Sequence, residues 1–307
     1  MKVLVTGADG FVGRWLLPAL ESGGHEVVGA VTESAVLPDE FETVTWDLGD
    51  ADSISRAARS AQFDAVIHLA AVASGRDARA DIAAAWEINT VGTARLAQAL
   101  VDAGNLSTRF LYVSTAEVYG VTGSTTPIVE TDPVTPCSPY AASKLGGEIA
   151  ALEYHRRTGM PVIVARAFPH SGRGQDARFV VPAFARRLLT AKREGAPAMS
   201  VGNMHPVRDI LHVSDVVAAY VHLVERGVPG ETYNVASGEG YSVGDLLERM
   251  CAIVDYRVVT EVDPSLVRPA DIPYLVGNAT KLRDLTGWGP NVSLGELLSE
   301  VVDAQAN

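Results

Sequence analysis

Lysine is scarce in this 307-residue chain, which has four, Lys2, Lys144, Lys192 and Lys281, against 21 arginines. Cysteine is scarcer still. Cys137 and Cys251 have no paired spacing, so neither a disulfide framework nor a thiolate zinc site is offered, and a reduced cytoplasm fits best. The seven histidines, His25, His68, His155, His170, His205, His212 and His222, are scattered rather than set at ligand intervals, and no metal is expected. Long apolar runs are missing too. Met1-Lys2-Val3-Leu4-Val5-Thr6-Gly7 is too short for the core of a signal peptide, and Val216–Val224, broken by His222, reads as a buried helix rather than a membrane span. Low-complexity segments and fixed-period repeats are absent, which points to one compact unit. Basic charge is in deficit, 25 residues against 37 acids for a net −12, and this argues against nucleic acid and anionic membrane as partners. A phosphorylated ligand stays possible, because a few arginines in one cleft can oppose the global sign.

What is present suits an enzyme-sized protein, with 47% apolar residues to fill one large core or two smaller ones. Short β-branched runs at 2–6, 26–31, 43–46, 64–70, 109–114 and 162–166 alternate with helical patterns near 12–21, 53–61, 83–103 and 140–157. Near-continuous apolar strands separated by helices predict an α/β fold, a doubly wound parallel sheet of Rossmann type. After Arg166 the rhythm loosens, with Pro and Gly clusters at 168–174 and 264–273, yet 209–211 and 232–235 again read as strands. The expected division is a dinucleotide-binding domain over 1–167 that also takes in about 205–236. A smaller substrate-binding domain, interwoven with it, would occupy most of 168–307.

The first strand runs into Thr6-Gly7-Ala8-Asp9-Gly10-Phe11-Val12-Gly13, with glycines three apart. Such a turn admits a pyrophosphate to the backbone while the next helix aims its amino-terminal dipole at the charge. A glycine turn serving only tight helix packing is the plainer alternative. At the end of strand two a carboxylate would hold the ribose of NAD and a basic residue the extra phosphate of NADP. The chain reads Gly29-Ala30-Val31-Thr32-Glu33 there, so either form of the cofactor is open. Asp47-Leu48 after strand three could edge the adenine or be a solvated turn. Thr115 ends strand five, at the sheet edge where ligands of such folds bind, although Ser or Thr also ends strands to bond local backbone.

One of the four lysines falls four places after a tyrosine, in Tyr140-Ala141-Ala142-Ser143-Lys144. On a helix these two share a face, and the ammonium would draw the phenol down from about 10 toward neutrality, where it can pass a proton either way. Arginine would bring its charge as a broad fork rather than as a compact point that can also bind sugar hydroxyls. A solvated helix face carrying both residues by coincidence is the bland alternative.

Taken in order, the glycine turn, Asp47-Leu48, His68-Leu69-Ala70-Ala71, Asn89, the run Ser114–Gly120 and Tyr140-x-x-x-Lys144 resemble the extended short-chain dehydrogenase/reductase family acting on nucleotide sugars. The resemblance covers nearly the whole chain. Its later signatures are most similar to the GDP-4-keto-6-deoxy-D-mannose reductases of that family: Arg166-Ala167-Phe168, Gly172-Arg173-Gly174-Gln175, Val201-Gly202-Asn203, Val207-Arg208-Asp209 and Arg268-Pro269-Ala270-Asp271. The resemblance implies an NAD(P)-dependent oxidoreductase that reduces a GDP-4-keto-6-deoxyhexose at C4 to GDP-D-rhamnose, with NADPH the form a reductase favours. Cofactor contacts would come from Gly7, Gly10, Phe11, Val12, Gly13, Asp47, Leu48, Leu69, Ala70, Ala71, Asn89, Tyr140 and Lys144. Tyr140 would give the proton, Thr115 would polarise the carbonyl, and Lys144 would support both tyrosine and cofactor. The implied substrate contacts are Arg208 and Arg268 on the diphosphate, Val180 and Asn203 beside the base, and Phe168 in the substrate loop. A homodimer through the helices near 83–103 and 140–157 is implied as well. Relatives commonly carry Asn where this chain has Pro169, and Pro where it has Arg173, which leaves the sugar open. Thr115-Ala116-Glu117 keeps the Thr-x-Glu of nucleotide-sugar 4,6-dehydratases, whose glutamate moves the C5 proton. Glu117 therefore joins the catalytic candidates, with a dehydratase or C4 epimerase as the rival activity.

Overall fold

The computed structural model describes residues 1–33, 35, 37, 38, 40–267 and 271–306. Six strands come first: β1 (Lys2–Thr6), β2 (Glu26–Val31), β3 (Glu42–Thr45), β4 (Ala65–His68), β5 (Arg109–Thr115) and β6 (Val162–Ala167). Four short ones follow, β7 (His170–Ser171), β8 (Ala198–Val201), β9 (Val207–Arg208) and β10 (Leu211–His212). Then β11 (Thr232–Val235) returns beside β6, leaving β12 (Tyr241–Ser242), β13 (Val259–Val262) and β14 (Tyr274–Leu275) outside the central sheet. That sheet has seven strands in the order β11-β6-β5-β4-β1-β2-β3, and every pairing in it is parallel. The fold is thus the doubly wound, Rossmann-type α/β sheet. Strand order reverses between β1 and β4, and the crevice at their carboxyl ends is where such sheets receive ligands.

The helices are α1 (Phe11–Ser22), α2 (Ala51–Arg59), α3 (Gly75–Ala80), α4 (Ile82–Trp86), α5 (Thr93–Asp102), α6 (Pro139–Thr158), α7 (Val180–Glu194), α8 (Val213–Arg226), α9 (Val243–Val254), α10 (Thr280–Thr286) and α11 (Leu294–Ala306). Every residue of β4 and β6 is buried, as strands covered on both faces must be. One core joins α1 and α8 to the sheet through Leu16, Leu20, Val217 and Tyr220; a second joins α2, α5 and α6 through Ile54, Leu96 and Ala151. A third core lies among α7, α9 and α11, around Phe184, Leu247 and Leu298. Among the described residues no helix is long and apolar enough to cross a membrane.

The strands at 2–6, 26–31 and 232–235 fall where the sequence puts them. The helix expected over 83–103 forms as one helical run over 82–102, but not as a uniform α-helix. Asp81 caps α4 by accepting from Ala84 N–H at 2.9 Å, a π-helical stretch spans Glu87–Gly92, and α5 follows. The widened turn faces Asn89 and Thr90 toward α6, where both bond Ser143. The strand expected over 209–211 is also corrected. Asp209 separates β9 from β10 because its buried carboxylate accepts from Ser237 N–H and Oγ, Gly238 N–H and Gly277 N–H, which makes it a hub between loops rather than a ladder residue.

Candidate active site

The glycine turn is shaped by contacts that a side chain would break. Gly7 has φ +66°, and a Cβ there would lie 2.9 Å from Ala70 N; one at Gly13 would lie 2.4 Å from Ala8 O. Gly10 precedes α1 without a capping side chain, and the first turn of α1 holds no acid, so the N–H groups around Phe11 and Val12 suit an anion. Leu69, Ala70 and Ala71 continue from β4 half-buried beside this turn, tied to it by Ala70 N–H donating to Thr6 Oγ1 at 3.1 Å. Asp47 is exposed, its carboxylate accepting from Gly49 N–H, while Leu48 is buried against Gly92. A turn with no room for a Cβ, opening an uncapped helix at the switch point, fits a dinucleotide.

The reacting groups meet at the ends of β5 and α6. Ser138 caps α6 by accepting from Ala141 N–H at 3.1 Å, and Pro139 occupies its first turn, so Tyr140 sits one residue inside the helix start. Thr115 closes β5 and accepts from Glu117 N–H at 3.2 Å. Burial and the Glu117 carboxylate hold the Tyr140 phenol well above its ordinary range, while the hydrogen-bonding Thr115 hydroxyl acts in the opposite sense. The expectation that Lys144 draws this phenol toward neutrality is therefore not met. Lys144 is buried with its Nζ 4.5 Å from the centre of the Tyr112 ring, and burial pushes the ammonium down to about 7 against the pull of Glu148.

Beneath these groups lies a polar column that the spacing of α6 builds. Glu148, one turn past Lys144, is 2% exposed and accepts from Arg166 Nη2 at 2.8 Å and from the Ser114 hydroxyl. Arg166 also lies over the Tyr119 ring at 4.8 Å and donates to Glu130 O. His68 is held neutral, pushed down to about 3 by burial and by Lys144. The Thr93 hydroxyl donates to Asn89 O and so accepts from His68 Nε2, which assigns the ring proton and leaves Nδ1 to accept from Thr6 Oγ1 at 2.7 Å.

Several expected contacts take other work. Asn89 is 1% exposed and spends its amide on Val72 N–H, Val72 O and Ser143 Oγ, so its side chain fixes the loop after β4 instead of meeting a cofactor. Phe168 is fully buried against Gly277 and Tyr119, which removes its ring from any substrate surface. Val180 is half-buried at the start of α7, and Asn203 accepts from His205 N–H at 3.1 Å in the loop after β8. Arg208 pairs with Asp271 at 2.7 Å and donates to Ile272 O and Val207 O; Arg268 lies outside the described residues. The Glu148–Arg166–Ser114 cluster escaped the sequence reading. Its signal was there, a carboxylate at the i+4 position after Lys144.

A profile of the GDP-mannose 4,6 dehydratase family matches residues 4–301. The chain belongs to this family. Over 303 residues it is 35% identical to a GDP-6-deoxy-D-mannose reductase of Pseudomonas aeruginosa, covering 98% of this chain and 96% of that protein. A GDP-mannose 4,6-dehydratase of Vibrio cholerae is 25% identical over 98% of this chain and 92% of its own length. Among solved structures, RMD from Pseudomonas aeruginosa complexed with NADPH matches with a TM-score of 0.85 and 34% identity, over 99% of this chain and 98% of that one. A Thermus thermophilus UDP-glucose 4-epimerase complexed with NAD matches with a TM-score of 0.89 and 29% identity, over 100% and 99%. The chain is accordingly an NAD(P)-dependent enzyme of the extended short-chain dehydrogenase/reductase class, with nucleotide-sugar enzymes as its relatives.

Proposed function

We propose that this enzyme reduces the C4 ketone of a GDP-4-keto-6-deoxyhexose, with GDP-D-rhamnose as product. The observation that carries the reading is a Tyr140 phenol held protonated beside the Thr115 hydroxyl. Reduction needs a proton given to the C4 oxygen, whereas the opening oxidation of a dehydratase or epimerase needs one taken away. The raised phenol is in the protonated form from which a proton can be given, and because it is the weaker acid for being raised, it gives that proton only as charge develops on the C4 oxygen. The bound dinucleotide supplies the hydride. Thr115 shares the C4 oxygen with Tyr140, and Lys144 holds cofactor and tyrosine in register, so the chain's own part is to orient, to exclude water and to deliver one proton.

Substrate would lie against the part of the chain after Phe168, mainly 168–307, with Arg208 and Arg268 toward the diphosphate and Val180 and Asn203 toward the base. Arg208 brings a guanidinium that Asp271 already offsets, so Arg268 is assigned the larger share. Two copies would pair through α4, α5 and α6, because Ile82, Trp86 and Ile149 there are 52%, 42% and 60% exposed. Removing that much apolar surface from water favours association. The unpaired Cys137 and Cys251 suit the reducing cytoplasm.

Glu117, close enough to raise the Tyr140 phenol, supports dehydration as a second reading. Elimination of water, however, needs an acid for the departing hydroxide as well as a base for the carbon-bound proton. Thr115-Ala116-Glu117 supplies one carboxylate. The assay is direct: purified protein with GDP-4-keto-6-deoxymannose should oxidise NADH or NADPH, and GDP-mannose alone should stay unchanged. Formation of the keto sugar from GDP-mannose would establish the dehydratase instead.

A further inference from the structure

We infer that this enzyme takes NAD(H) in preference to NADP(H), and that Asp9, Glu33 and Asp47 enforce the choice. The inference deepens the reading above and rests on its dinucleotide half alone. The two coenzymes differ by one group, a 2′-phosphate on the adenosine ribose carrying about −1.5 to −2 charges at neutral pH. In a Rossmann fold that ribose lies beyond the carboxyl end of the second strand, where a carboxylate suits the hydroxyl and a basic side chain suits the phosphate.

From Trp15 to Ser55 the sequence contains no lysine or arginine, and nine acidic residues fall within that stretch. The structure sorts them. Glu26 and Glu42 sit at the opposite edge of the sheet, where they hold Lys2 at 2.6 and 3.4 Å and take that cation out of consideration. Glu33 and Asp47 belong to the carboxyl edge, and Asp9, which precedes the stretch, joins them there. Asp9 lies in the β1–α1 turn, next to Ala8, whose N–H reaches Ala30 O of β2 at 3.5 Å. Glu33 is exposed two residues beyond β2, inside the turn that Ala35 N–H closes on Thr32 O at 3.0 Å. Asp47 is exposed two residues beyond β3, the strand that pairs with β2.

Two cations flank the stretch. Arg56 is on the second turn of α2, with 71% of its side chain exposed and 4.0 Å from the α2 cap Asp50. Arg14 is on the first turn of α1, with its Nε donating to the Asp9 carbonyl at 2.9 Å. One surface guanidinium beside Asp9 against three carboxylates leaves this edge negative. At separations of roughly 7 to 10 Å in water, like-charge repulsion changes affinity about two- to threefold per charge pair, so NADH is expected to bind about tenfold more tightly than NADPH, or better.

The test needs no sugar. NADH and NADPH are titrated separately into the full chain and followed by nicotinamide fluorescence at low and high salt. The expected result is a preference of about tenfold or more for NADH that narrows as salt screens the carboxylates. Glu33→Arg, an exposed position, should shift the preference toward NADPH by about tenfold. Equal or tighter binding of NADPH by the natural chain overturns the inference, and its loss in Arg14→Ala would name Arg14 as the reader. Preference for NADH without turnover of the keto sugar would refute the reductase reading and leave this one standing; binding of neither coenzyme would remove both.

Discussion

Replacing Lys144 with methionine should make the cofactor-free protein more stable at neutral pH while removing its activity. Lys144 is 3% exposed, and burial moves its ammonium from 10.5 to about 7. A base with a depressed folded pKa binds fewer protons folded than unfolded between those two values. Stability therefore rises as pH climbs from about 7 to about 10.5, and the full penalty is present below about 7. At about 1.4 kcal/mol per pH unit the interval corresponds to on the order of 5 kcal/mol. Methionine escapes that penalty but gives up the contact with the Tyr112 ring, about 1 to 2 kcal/mol for a buried cation. A net gain of about 3 to 4 kcal/mol at pH 7 is the outcome. Urea midpoints for both proteins from about pH 6.5 to about pH 9.5 isolate the effect, since every other titrating group is common to the two. The curves should converge with rising pH. Parallel curves, or a methionine variant that is less stable at pH 7, would refute the account of Lys144 as a charge held against its own burial.

Three further outcomes follow from the same geometry. Tyr140→Phe should keep dinucleotide binding and lose about 10²- to 10⁴-fold in turnover; undiminished turnover would take Tyr140 out of the scheme. Glu148→Gln should cost about 3 to 5 kcal/mol in urea unfolding because it strands the Arg166 guanidinium, and adding Arg166→Met should recover much of the loss. A double variant no more stable than the single one would show the pair is not coupled. Gly13→Ala puts a Cβ 2.4 Å from Ala8 O, so it should abolish NADH fluorescence enhancement and destabilise by about 1 to 3 kcal/mol; normal binding would deny the turn its role.

The sheet was legible because its signal is local. Strands such as β1, β2 and β11 are short apolar runs closed by glycine or polar residues, and their alternation with helices fixes the parallel topology. The glycine turn and the Tyr140–Lys144 spacing were legible for the same reason: each lies within a few residues. What sequence could not supply was the identity of long-range partners. Asn89 carries no mark telling whether its amide faces a ligand or Ser143, 54 positions away. Arg166 does not announce Glu148, and the π-helical widening at Glu87–Gly92 accompanies a contact with α6 that no periodicity encodes.

The failed expectation for Tyr140 carries the most mechanistic content. Positions 140, 144 and 148 stack along α6, and Arg166 of β6 meets the last of them, so the helix presents phenol, amine and carboxylate in order from the mouth inward. The Glu148 charge is largely spent on Arg166 and Ser114, and little of it is left to hold Lys144 fully charged. A lysine near the midpoint of its own titration at neutral pH exerts only part of a unit charge. The Tyr140 phenol, one helical turn earlier, is then governed by burial and by Glu117, both of which keep it protonated. A site arranged this way is set to release a proton when negative charge develops on a neighbouring oxygen, which is the demand that ketone reduction makes. If the arrangement instead served oxidation, strengthening the charge on Lys144 should help. Arg166→Met, which frees Glu148 to act on Lys144, should then raise kcat for alcohol oxidation relative to kcat for ketone reduction, a ratio measured at saturation and fixed pH with product sugar and NAD one way and keto sugar and NADH the other. An unchanged ratio would show that the two charges do not communicate through Glu148.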